Sequence, residues 1–292
     1  MPARASGAGS AAAHPAADPA PTLFTRRTPR VVAAARLHRR KERDARQRFL
    51  VEGPQAVREA LAGAGVVEQV FVTPAGQARH AALLAAAARA GVPVSPVTED
   101  ALAALAETVT PQGVVAVCRQ THRSLADALA ERPALVTVLA DIRDPGNAGT
   151  VLRTADAAGA PVVVFAGQAV DPYNGKCVRA SAGSLFHVTV VREPDPVAVV
   201  AELRRAGLTV LAATGYGDVD LDRLTDTGAL SQPTAWLFGS EAHGLPEPLL
   251  AAADARVRVP IYGRAESLNL AAAAAVCLYA SARALHQEDS GA

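Results

Sequence analysis

The sequence predicts an α/β protein of two unequal domains, a small one near the N-terminus and a larger one built on a parallel sheet. Two observations predict this class. Short apolar segments alternate with Ala-rich helical segments along most of the chain. In the C-terminal half, these short segments are apolar throughout rather than alternating with polar residues. That pattern is typical of strands in a parallel sheet covered on both faces.

The same patterns divide the 292 residues into four parts. Residues 1–30 are rich in Ala, Pro and Gly and lack the apolar core of a secretory signal, so they are predicted to be a disordered tail. Residues 31–120 alternate strands with helices and form the small domain. A linker follows over residues 121–132, and residues 133–292 form the larger domain.

Composition excludes several classes of protein and site. The three cysteines, Cys118, Cys177 and Cys277, are widely spaced and odd in number, which predicts buried thiols in the reducing cytoplasm rather than disulfides. No Cys/His cluster has metal-ligand spacing, so no metal is expected. No uncharged apolar run reaches the roughly 18 residues of a membrane span, so no membrane partner is expected.

Residues 26–48 are strongly basic, although the whole chain carries a net charge of only +1. The ten basic residues are Arg26, Arg27, Arg30, Arg36, Arg39, Arg40, Lys41, Arg43, Arg46 and Arg48. Only Glu42 and Asp44 oppose them, so the segment carries +8 and the remainder −7 by subtraction. We interpret residues 31–48 as a basic helix. Its charge density favours contact with a polyanion, and a merely solvated face is the alternative.

The first polar segment of the larger domain is DPGNAGTVLR, residues 144–153, between an apolar strand and a helix. Its glycines permit a tight turn, and a helix N-terminus attracts anions. Asn147 is either the helix N-cap or a ligand contact. Arg153 lies about one turn into the helix, where it is either a phosphate or substrate contact or an ordinary surface residue.

The second polar segment is LFGSEAHGLP, residues 237–246, after another apolar strand. Gly239 would let the backbone approach a ligand closely. Glu241 is then an exposed carboxylate in a strand-to-helix loop. His243 is a candidate acid or base, and a solvated loop histidine is the more ordinary interpretation.

The third polar segment, VPIYGRAESLNLAAAAAVCLYA over residues 259–280, begins as a short strand interrupted by Pro260 and continues as an Ala-rich helix. Ser267 is a plausible N-cap of that helix. Capping does not require Glu266 and Asn269 as well, so this cluster indicates a ligand site.

Several familiar nucleotide and catalytic signatures are absent from the sequence. There is no GxxxxGK[ST] loop, no GxSxG and no GxGxxG after a strand. Their absence argues against ordinary dinucleotide binding and against the methyltransferase fold that uses a glycine-rich loop.

In series, the three polar segments resemble the SpoU (TrmH-type) branch of the SPOUT RNA methyltransferases, over residues 133–286. The intermediate stretch DPYNGKCVRASAGSLFHVTV, residues 171–190, is also similar. It departs from the family at Asn174-Gly175, where a proline often precedes Lys176. Residues 31–118 resemble the small L30e-like domain that often precedes this catalytic domain and binds the substrate.

The resemblance implies a SPOUT α/β fold with a deep trefoil knot at its C-terminal segment. It also implies a homodimer whose active sites use residues from both subunits. The implied cofactor is S-adenosylmethionine, bound mostly through backbone groups. The implied cofactor-binding residues are Gly239, Val259 and Leu268, with Ile261, Thr214 and Gly215 as neighbours.

The implied reaction is methyl transfer to a ribose 2′-OH of RNA, with Arg153 as the catalytic arginine. Its implied partners in the active site are Asn147, Glu241, Ser267 and Asn269. Arginine stays protonated at ordinary pH, so fixing the adjacent phosphate is an alternative to proton abstraction. Glu241 is the nearest candidate carboxylate, and it could instead hold Arg153 or Asn269. The predicted RNA-binding residues are Arg36, Arg39, Arg40, Lys41, Lys176 and Arg179.

Ribosomal RNA of the large subunit, 23S rRNA, is the expected substrate because the appended basic domain suits a large folded RNA. A tRNA ribose methyltransferase and a self-resistance enzyme that modifies rRNA are alternatives. A non-catalytic RNA-binding protein is a further alternative, and it would predict loss of Arg153, Ser267 or Asn269, all of which are present. The expected location is the cytoplasm.

Overall fold

The small domain is a four-stranded sheet covered by short helices. The structure, a computed structural model, describes residues 22–63 and 65–289. The elements of this domain are α1 (Pro29–Ala35), α2 (Arg40–Arg46), β1 (Arg48–Glu52), α3 (Pro54–Ala62), β2 (Val67–Val72), α4 (Pro74–Arg79), α5 (Ala81–Arg89), β3 (Val94–Pro96), α6 (Glu99–Ala103) and β4 (Val114–Arg119). The strand order is β1-β4-β2-β3, and only β2 and β3 run parallel.

The larger domain is a seven-stranded sheet in which every strand pair is parallel, as the sequence predicts. Its elements are α7 (Leu125–Ala130), β5 (Leu135–Ala140), α8 (Pro145–Ala157), β6 (Val162–Ala166), α9 (Gly175–Ala180), β7 (Thr189–Glu193), α10 (Pro196–Arg205), β8 (Thr209–Ala213), β9 (Val219–Asp220), α11 (Leu221–Asp226), β10 (Thr234–Phe238), α12 (Glu247–Ala252), β11 (Ala255–Arg258) and α13 (Leu270–Asp289). The strand order is β7-β6-β5-β10-β8-β11-β9. Its central strands are covered on both faces, which explains why they are apolar throughout.

Two apolar cores lie on the two faces of the larger sheet. One contains Val136 and Val138 of β5 together with apolar residues of α7, α10 and α12. The other contains Leu135 and Leu139 of the same strand and is covered by α8 and α13. This second core continues into the small domain through Phe49. The Phe49 ring lies 4.7 Å from the ring of Tyr173, measured between centroids. The two domains therefore share one core.

The predicted single basic helix over residues 31–48 is wrong. The chain forms α1, a 3-10 turn over Arg36–His38, and α2, and it then enters β1 at Arg48. Arg39 is extended between the helical pieces, and Gln47 ends α2 in the left-handed conformation with φ of 52°. Arg43, one of the ten basic residues of this segment, is buried and donates hydrogen bonds to the carbonyls of Leu37 and His38. Those internal bonds hold the break in the helix.

The predicted tail differs from the structure over residues 22–30. Residues 1–21 lie outside the described part of the chain. The backbone N–H of Phe24 donates to Pro96 at 2.8 Å, and Phe24 pairs with Val97 beside β3. Helix α1 already begins at Pro29. This stretch packs on the small domain because Phe24 joins its apolar core.

The three cysteines are buried and free, as the sequence predicts. Burial raises the pKa of each thiol, that of Cys277 to about 12. They therefore behave as small apolar side chains.

Candidate functional site

The polar segments converge at the carboxyl-terminal edge of the parallel sheet. Strands β5, β10, β8 and β11 are neighbours in that order, and each ends at this edge. The loops after them begin at Asp141, Gly239, Thr214 and Val259, respectively. In open parallel sheets the crevice outside the carboxyl ends of the strands is where ligands bind. The predicted site residues of all three motifs therefore come from one edge of one sheet.

Asp144, rather than Asn147, caps helix α8. The Asp144 Oδ1 accepts the backbone N–H of Asn147 at 2.8 Å, and Pro145 occupies the first helical position. The N-cap interpretation of Asn147 is therefore wrong. Proline is tolerated in the first turn of a helix because the N–H that it lacks would have no helical partner there. Asn147 stands in the first turn, and its side-chain amide is free to face the neighbouring loops.

Asn269, rather than Ser267, caps helix α13. The Asn269 Oδ1 accepts the backbone N–H of Ala271 at 2.9 Å and that of Ala272 at 3.4 Å, and the helix begins at Leu270. The preceding strand also lies earlier than predicted, at Ala255–Arg258, so residues 259–269 form no strand. Pro260 has no N–H to donate to a neighbouring strand, which explains why pairing stops there.

A chain of hydrogen bonds joins the three motifs. The Asn269 Nδ2 donates to the Asn147 Oδ1 at 3.2 Å, and the Asn147 Nδ2 donates to the Glu241 Oε1 at 3.0 Å. The orientation of both amides follows from chemistry, because the Asn269 oxygen must face the helix N–H groups and a carboxylate accepts only. Glu241 is thus held by Asn147, not directly by Asn269 or Arg153.

Lys176 supports the same loop from α9. Its Nζ lies 2.8 Å from the Asp144 Oδ2, so Asp144 receives an ammonium on one oxygen and the Asn147 N–H on the other. The Lys176 bond, with the Asn147 N–H, holds the pKa of Asp144 below its usual value. Lys176, a predicted RNA-binding residue, is therefore engaged within the catalytic domain.

Arg153 is not brought to this cluster within one chain. It lies six positions after Asn147 along α8, which corresponds to roughly 9 Å of helix axis and about 120° of rotation. The Arg153 side chain is exposed, and within residues 22–63 and 65–289 no hydrogen bond or ion pair involves it. Ser267 is likewise exposed, without a side-chain partner in that part of the chain. Both are available to a second molecule.

Two of the predicted cofactor-binding residues, Gly239 after β10 and Gly215 after β8, have very different surroundings. A Cβ on Gly239 would lie 2.2 Å from the carbonyl carbon of Gly244, because the loop after β10 folds back through a bridge between Ser240 and Gly244. The close approach predicted there is therefore to the protein's own backbone. A Cβ on Gly215 would meet nothing within 4 Å, so its surroundings are open. The neighbouring Thr214 N–H donates to Val257 at 2.9 Å.

The segment after β11 presents its backbone to solvent. Residues 261–269 are all exposed, including Ile261 and Leu268, and Val259 is half-buried. Among the described residues, the backbone groups of residues 261–268 make no hydrogen bond to other backbone groups. Such groups need partners. This segment therefore fits a cofactor that is recognised mostly through backbone N–H and carbonyl groups, beside the open space at Gly215.

The predicted RNA-binding residues separate into two groups. Arg36, Arg39, Arg40 and Lys41 are exposed around the break between α1 and α2. Among them only Arg40 has a side-chain ion pair within the described chain, a 3.6 Å contact with Asp44. Arg179 of α9 instead pairs with Glu107 at 2.8 Å and Glu52 at 3.6 Å in the small domain.

Two aspartates, Asp144 and Asp171, support the site although they are not among the residues predicted from the sequence. Asp144 caps α8, and Asp171 pairs with Arg43 of the small domain at 2.7 Å. The order Asp-Pro before the helix was a usable signal for the first, since proline favours the first helical position. No local signal could have identified the second, because its partner lies 128 residues away.

Two further observations bound the chemistry. No helix among the described residues is long and apolar enough to span a membrane. Within that same part of the chain, no group of three or more His, Cys, Asp and Glu side chains is arranged to hold a metal ion.

Family models match both domains. The SpoU rRNA Methylase family matches residues 134–279, and the MRM3-like substrate binding domain matches residues 28–116. The chain is 36% identical over 244 residues to the 23S rRNA (guanosine(2553)-2′-O)-methyltransferase RlmP of Bacillus subtilis, covering 84% of this chain and 92% of that protein.

Solved structures agree over nearly the whole chain. The SpoU methyltransferase AviRb from Streptomyces viridochromogenes, in complex with the cofactor AdoMet, is 32% identical with a TM-score of 0.76, covering 90% of this chain and 100% of that one. The AdoMet-bound rRNA methyltransferase from Sinorhizobium meliloti is 32% identical with a TM-score of 0.76, covering 88% and 95%. The chain belongs to the SpoU rRNA Methylase family.

Proposed function

We propose that this protein is an S-adenosylmethionine-dependent RNA methyltransferase that methylates a ribose 2′-OH of 23S rRNA. The observation that carries the proposal is the hydrogen-bonded chain Glu241–Asn147–Asn269. It joins all three family motifs at the sheet edge where ligands bind. The Bacillus subtilis relative acts on 23S rRNA by name, and the N-terminal domain of this chain matches a substrate-binding domain. Guanosine 2553 is the target of one relative, and it does not by itself assign the nucleotide modified by this chain.

The cofactor is proposed to lie between the loops after β10, β8 and β11. The residues that would hold it are Gly239, Val259, Leu268, Ile261, Thr214 and Gly215. The exposed, unpaired backbone of residues 261–268 and the open space at Gly215 support this placement. S-adenosylmethionine supplies an activated methyl group when it is bound. The chain's own contribution is to align the acceptor oxygen with that methyl group and to exclude competing water.

The ribose is proposed to lie beside Asn147 and Glu241. One Glu241 oxygen is held by Asn147, so the other is available as an acceptor for the 2′-hydroxyl proton. Ser267 is close in sequence to the cap of α13 and offers a further hydroxyl. Arg153 stays protonated. Its proposed role is to fix the phosphate next to the reacting ribose, where a guanidinium fork matches phosphate geometry.

Arg153 is proposed to reach this site from the other subunit of a homodimer. Within one chain it is exposed and rotated away from Asn147 on the same helix. Helix α13 also carries an exposed apolar stripe that includes Val276 and Tyr279. An apolar stripe left exposed in a single chain favours association with a second copy. The threading of residues 259–289 into a trefoil knot belongs to the same proposal, as does a cytoplasmic location.

The basic surface of the small domain is proposed to bind rRNA by its shape and phosphates. Arg36, Arg39 and Lys41 are exposed, and the described chain offers their charges no carboxylate partner. Clustered free cations of this kind make contacts to the RNA backbone that depend on salt but not on sequence. Arg40, Lys176 and Arg179 would first have to leave their present carboxylate partners.

The substrate is tested by mapping 2′-O-methyl positions in total RNA from a deletion strain and its parent. The proposal predicts one 23S rRNA position that loses its methyl group in the deletion strain and regains it on complementation. Loss at a tRNA position instead would favour the tRNA alternative. If no RNA position changes, the proposed function fails.

The shared active site is tested by mixing two inactive variants. Arg153→Ala and Asn147→Ala each remove a residue from one half of the proposed site. Mixed dimers made by co-expression should regain about one intact site per dimer and hence measurable methyl transfer. No recovery in a confirmed mixed dimer would place both residues in the same subunit's site.

A further inference from the structure

A buried ion pair joins the two domains outside the site described above. Arg43 of α2 donates through Nε to the Asp171 Oδ2 at 2.8 Å, and its Nη2 lies 2.7 Å from the same oxygen. The two side chains are only 4% and 3% exposed. Through Nη1 the same guanidinium donates to the carbonyls of Leu37 at 3.0 Å and His38 at 2.8 Å. One side chain therefore fixes both the basic segment and its attachment to the catalytic domain.

Stability alone is a poor explanation for this ion pair. Burying two charges has a large desolvation cost, and well-packed apolar residues often serve as well. The interface already has an apolar contact of that kind, in which Phe49 packs against Tyr173 and Phe186. A guanidinium differs from an apolar group in that its donors have fixed directions. Its distinctive contribution here is thus geometric.

Asp171 transmits that geometry to the start of α9. Its second oxygen, Oδ1, accepts the backbone N–H of Tyr173 at 3.0 Å. Asn174 then caps the helix, since its Oδ1 accepts the Lys176 N–H at 2.9 Å. The turn that begins α9 is therefore held from the small domain by Arg43.

Helix α9 packs in turn against α8 and against Asp144, which caps α8. A Cβ on Gly149 of α8 would lie 2.3 Å from the Cys177 carbonyl oxygen, so the two helices are in backbone contact. The Lys176 Nζ lies 2.8 Å from Asp144, whose other oxygen accepts the Asn147 N–H at 2.8 Å. A displacement of α9 would therefore be passed to the first turn of α8, because the Cys177 carbonyl lies directly against Gly149 and Lys176 is bonded to Asp144.

We propose that Arg43 is a positioning residue for ribose methylation, acting through Asp171 and then Lys176 on the first turn of α8, which carries Asn147. The inference rests on the proposed function. The small domain then does more than bind RNA. Its Arg43, which shapes the basic segment, also holds the first turn of α8 next to the reacting ribose. The placement of bound rRNA and the placement of Asn147 are thus set by one contact.

The test compares Arg43→Lys and Lys176→Met with the matched control Arg192→Lys. Arg192 forms another interdomain pair, 3.1 Å from Asp44, but it lies on β7 and its ion pair joins that strand to α2 rather than to α9. The measurements are the single-turnover rate at saturating rRNA, the dissociation constant for rRNA, and the melting temperature. Both test variants should lower the rate roughly ten- to a hundredfold, the size expected from misplacing a reacting group. The rRNA affinity of Lys176→Met should change less than about twofold, and the control should match the wild type in both rate and affinity.

The double variant Arg43→Lys/Lys176→Met tests whether the two rate losses are additive, as they would be if each residue had a separate structural role. Residues acting in one chain of contacts are not additive, so its rate should match that of the slower single variant. Unchanged rates in both single variants, or multiplied losses in the double variant, would overturn the inference. Weakened rRNA affinity with an unchanged rate in Lys176→Met would make Lys176 an RNA contact and also overturn it. If Arg43→Lys does not fold, the Lys176→Met result decides. A wild-type protein that methylates no RNA would instead overturn the proposed function.

Discussion

Asn269 performs two tasks with two different atoms, and these can be separated by substitution. Its Oδ1 caps α13 by accepting the N–H groups of Ala271 and Ala272, while its Nδ2 donates to Asn147. Asn269→Asp keeps the cap and loses the donor. Asn269→Ala loses both. The pair of variants therefore tests whether the amide itself matters for activity, apart from the helix it caps.

The expected stability effect follows from the cap. Losing it in Asn269→Ala should cost about 1 kcal/mol, within the range of roughly 0.5–2 kcal/mol for such caps. For a chain of this size, that corresponds to a fall in melting temperature of about 2–4 °C. Asn269→Asp should stay within about 0.5 kcal/mol of the wild type, because aspartate caps as well as asparagine and suits the positive helix N-terminus.

The expected activity effect follows from the amide donor. With Asp at position 269, the Asn147 Oδ1 would face a carboxylate, and turning the Asn147 amide would set its oxygen against Glu241. Neither orientation satisfies both neighbours. Losing a hydrogen bond to a charged group is worth roughly 1.5–3 kcal/mol, which is about ten- to a hundredfold in rate.

The assay is single-turnover methyl transfer from labelled S-adenosylmethionine to rRNA, read beside thermal unfolding of the same preparations. Asn269→Asp should be slow and stable, and Asn269→Ala should be slow and less stable. Wild-type activity in Asn269→Asp would refute the reasoning about the hydrogen-bonded chain. An unchanged melting temperature in Asn269→Ala would refute the reasoning about the cap.

Three further predictions concern stability and reactivity. Ser281→Ala removes the buried acceptor 2.9 Å from the Trp236 Nε1, so it should lower the free energy of unfolding by about 1–3 kcal/mol in a urea titration; no change would mean that the indole finds another partner. The pKa of His187 is raised, first by its bond to Asp156 and also by Glu59 of the small domain. Its stabilising effect should therefore be complete below about pH 6.5 and lost as pH rises through the folded pKa. The melting-temperature advantage of wild type over His187→Gln should shrink as the pH rises above about 6.5, and a constant difference would contradict this. Burial raises the pKa of Cys277 to about 12, so its thiol should resist an alkylating reagent in the native state and react after unfolding; rapid native labelling, read by mass spectrometry, would contradict its burial.

The fold class could be predicted because it depends on features that are local and repeated. A strand covered on both faces must be apolar at every position, whatever packs against it, so segments such as residues 135–140 and 234–238 are recognisable alone. The family could be recognised for a similar reason, because its motifs follow one another along the chain in a fixed order. The strand Val219–Asp220 was missed because two residues are too few to show a pattern.

The caps could not be predicted with the same success. Asp144 and Asn147, and likewise Ser267 and Asn269, offer two capping side chains within three residues of each other. Either choice satisfies the helix, because both residue types cap well. The structure assigns the remaining Asn147 amide to Glu241, which lies 94 residues away. Only the assembled sheet brings those partners together.

The basic segment shows the same limit. Its charge pattern is that of a solvated helix, and nothing local distinguishes Arg43 from its neighbours. Burial of Arg43 depends on Asp171, which the chain reaches 128 residues later. A lone charge would not be buried, but a paired one is tolerated. The break in the helix thus depends on tertiary contacts, so it could not be predicted from residues 31–48 alone.

The most direct measurement of the central claim is methyl transfer by the purified protein. Labelled S-adenosylmethionine and 23S rRNA are incubated with it, and the RNA is digested to nucleosides. We expect label in a single 2′-O-methylnucleoside, approaching one methyl group per rRNA and abolished by Asn147→Ala in a folded protein. Label on a base, or no transfer to unmodified rRNA from a strain that lacks the gene, would contradict it.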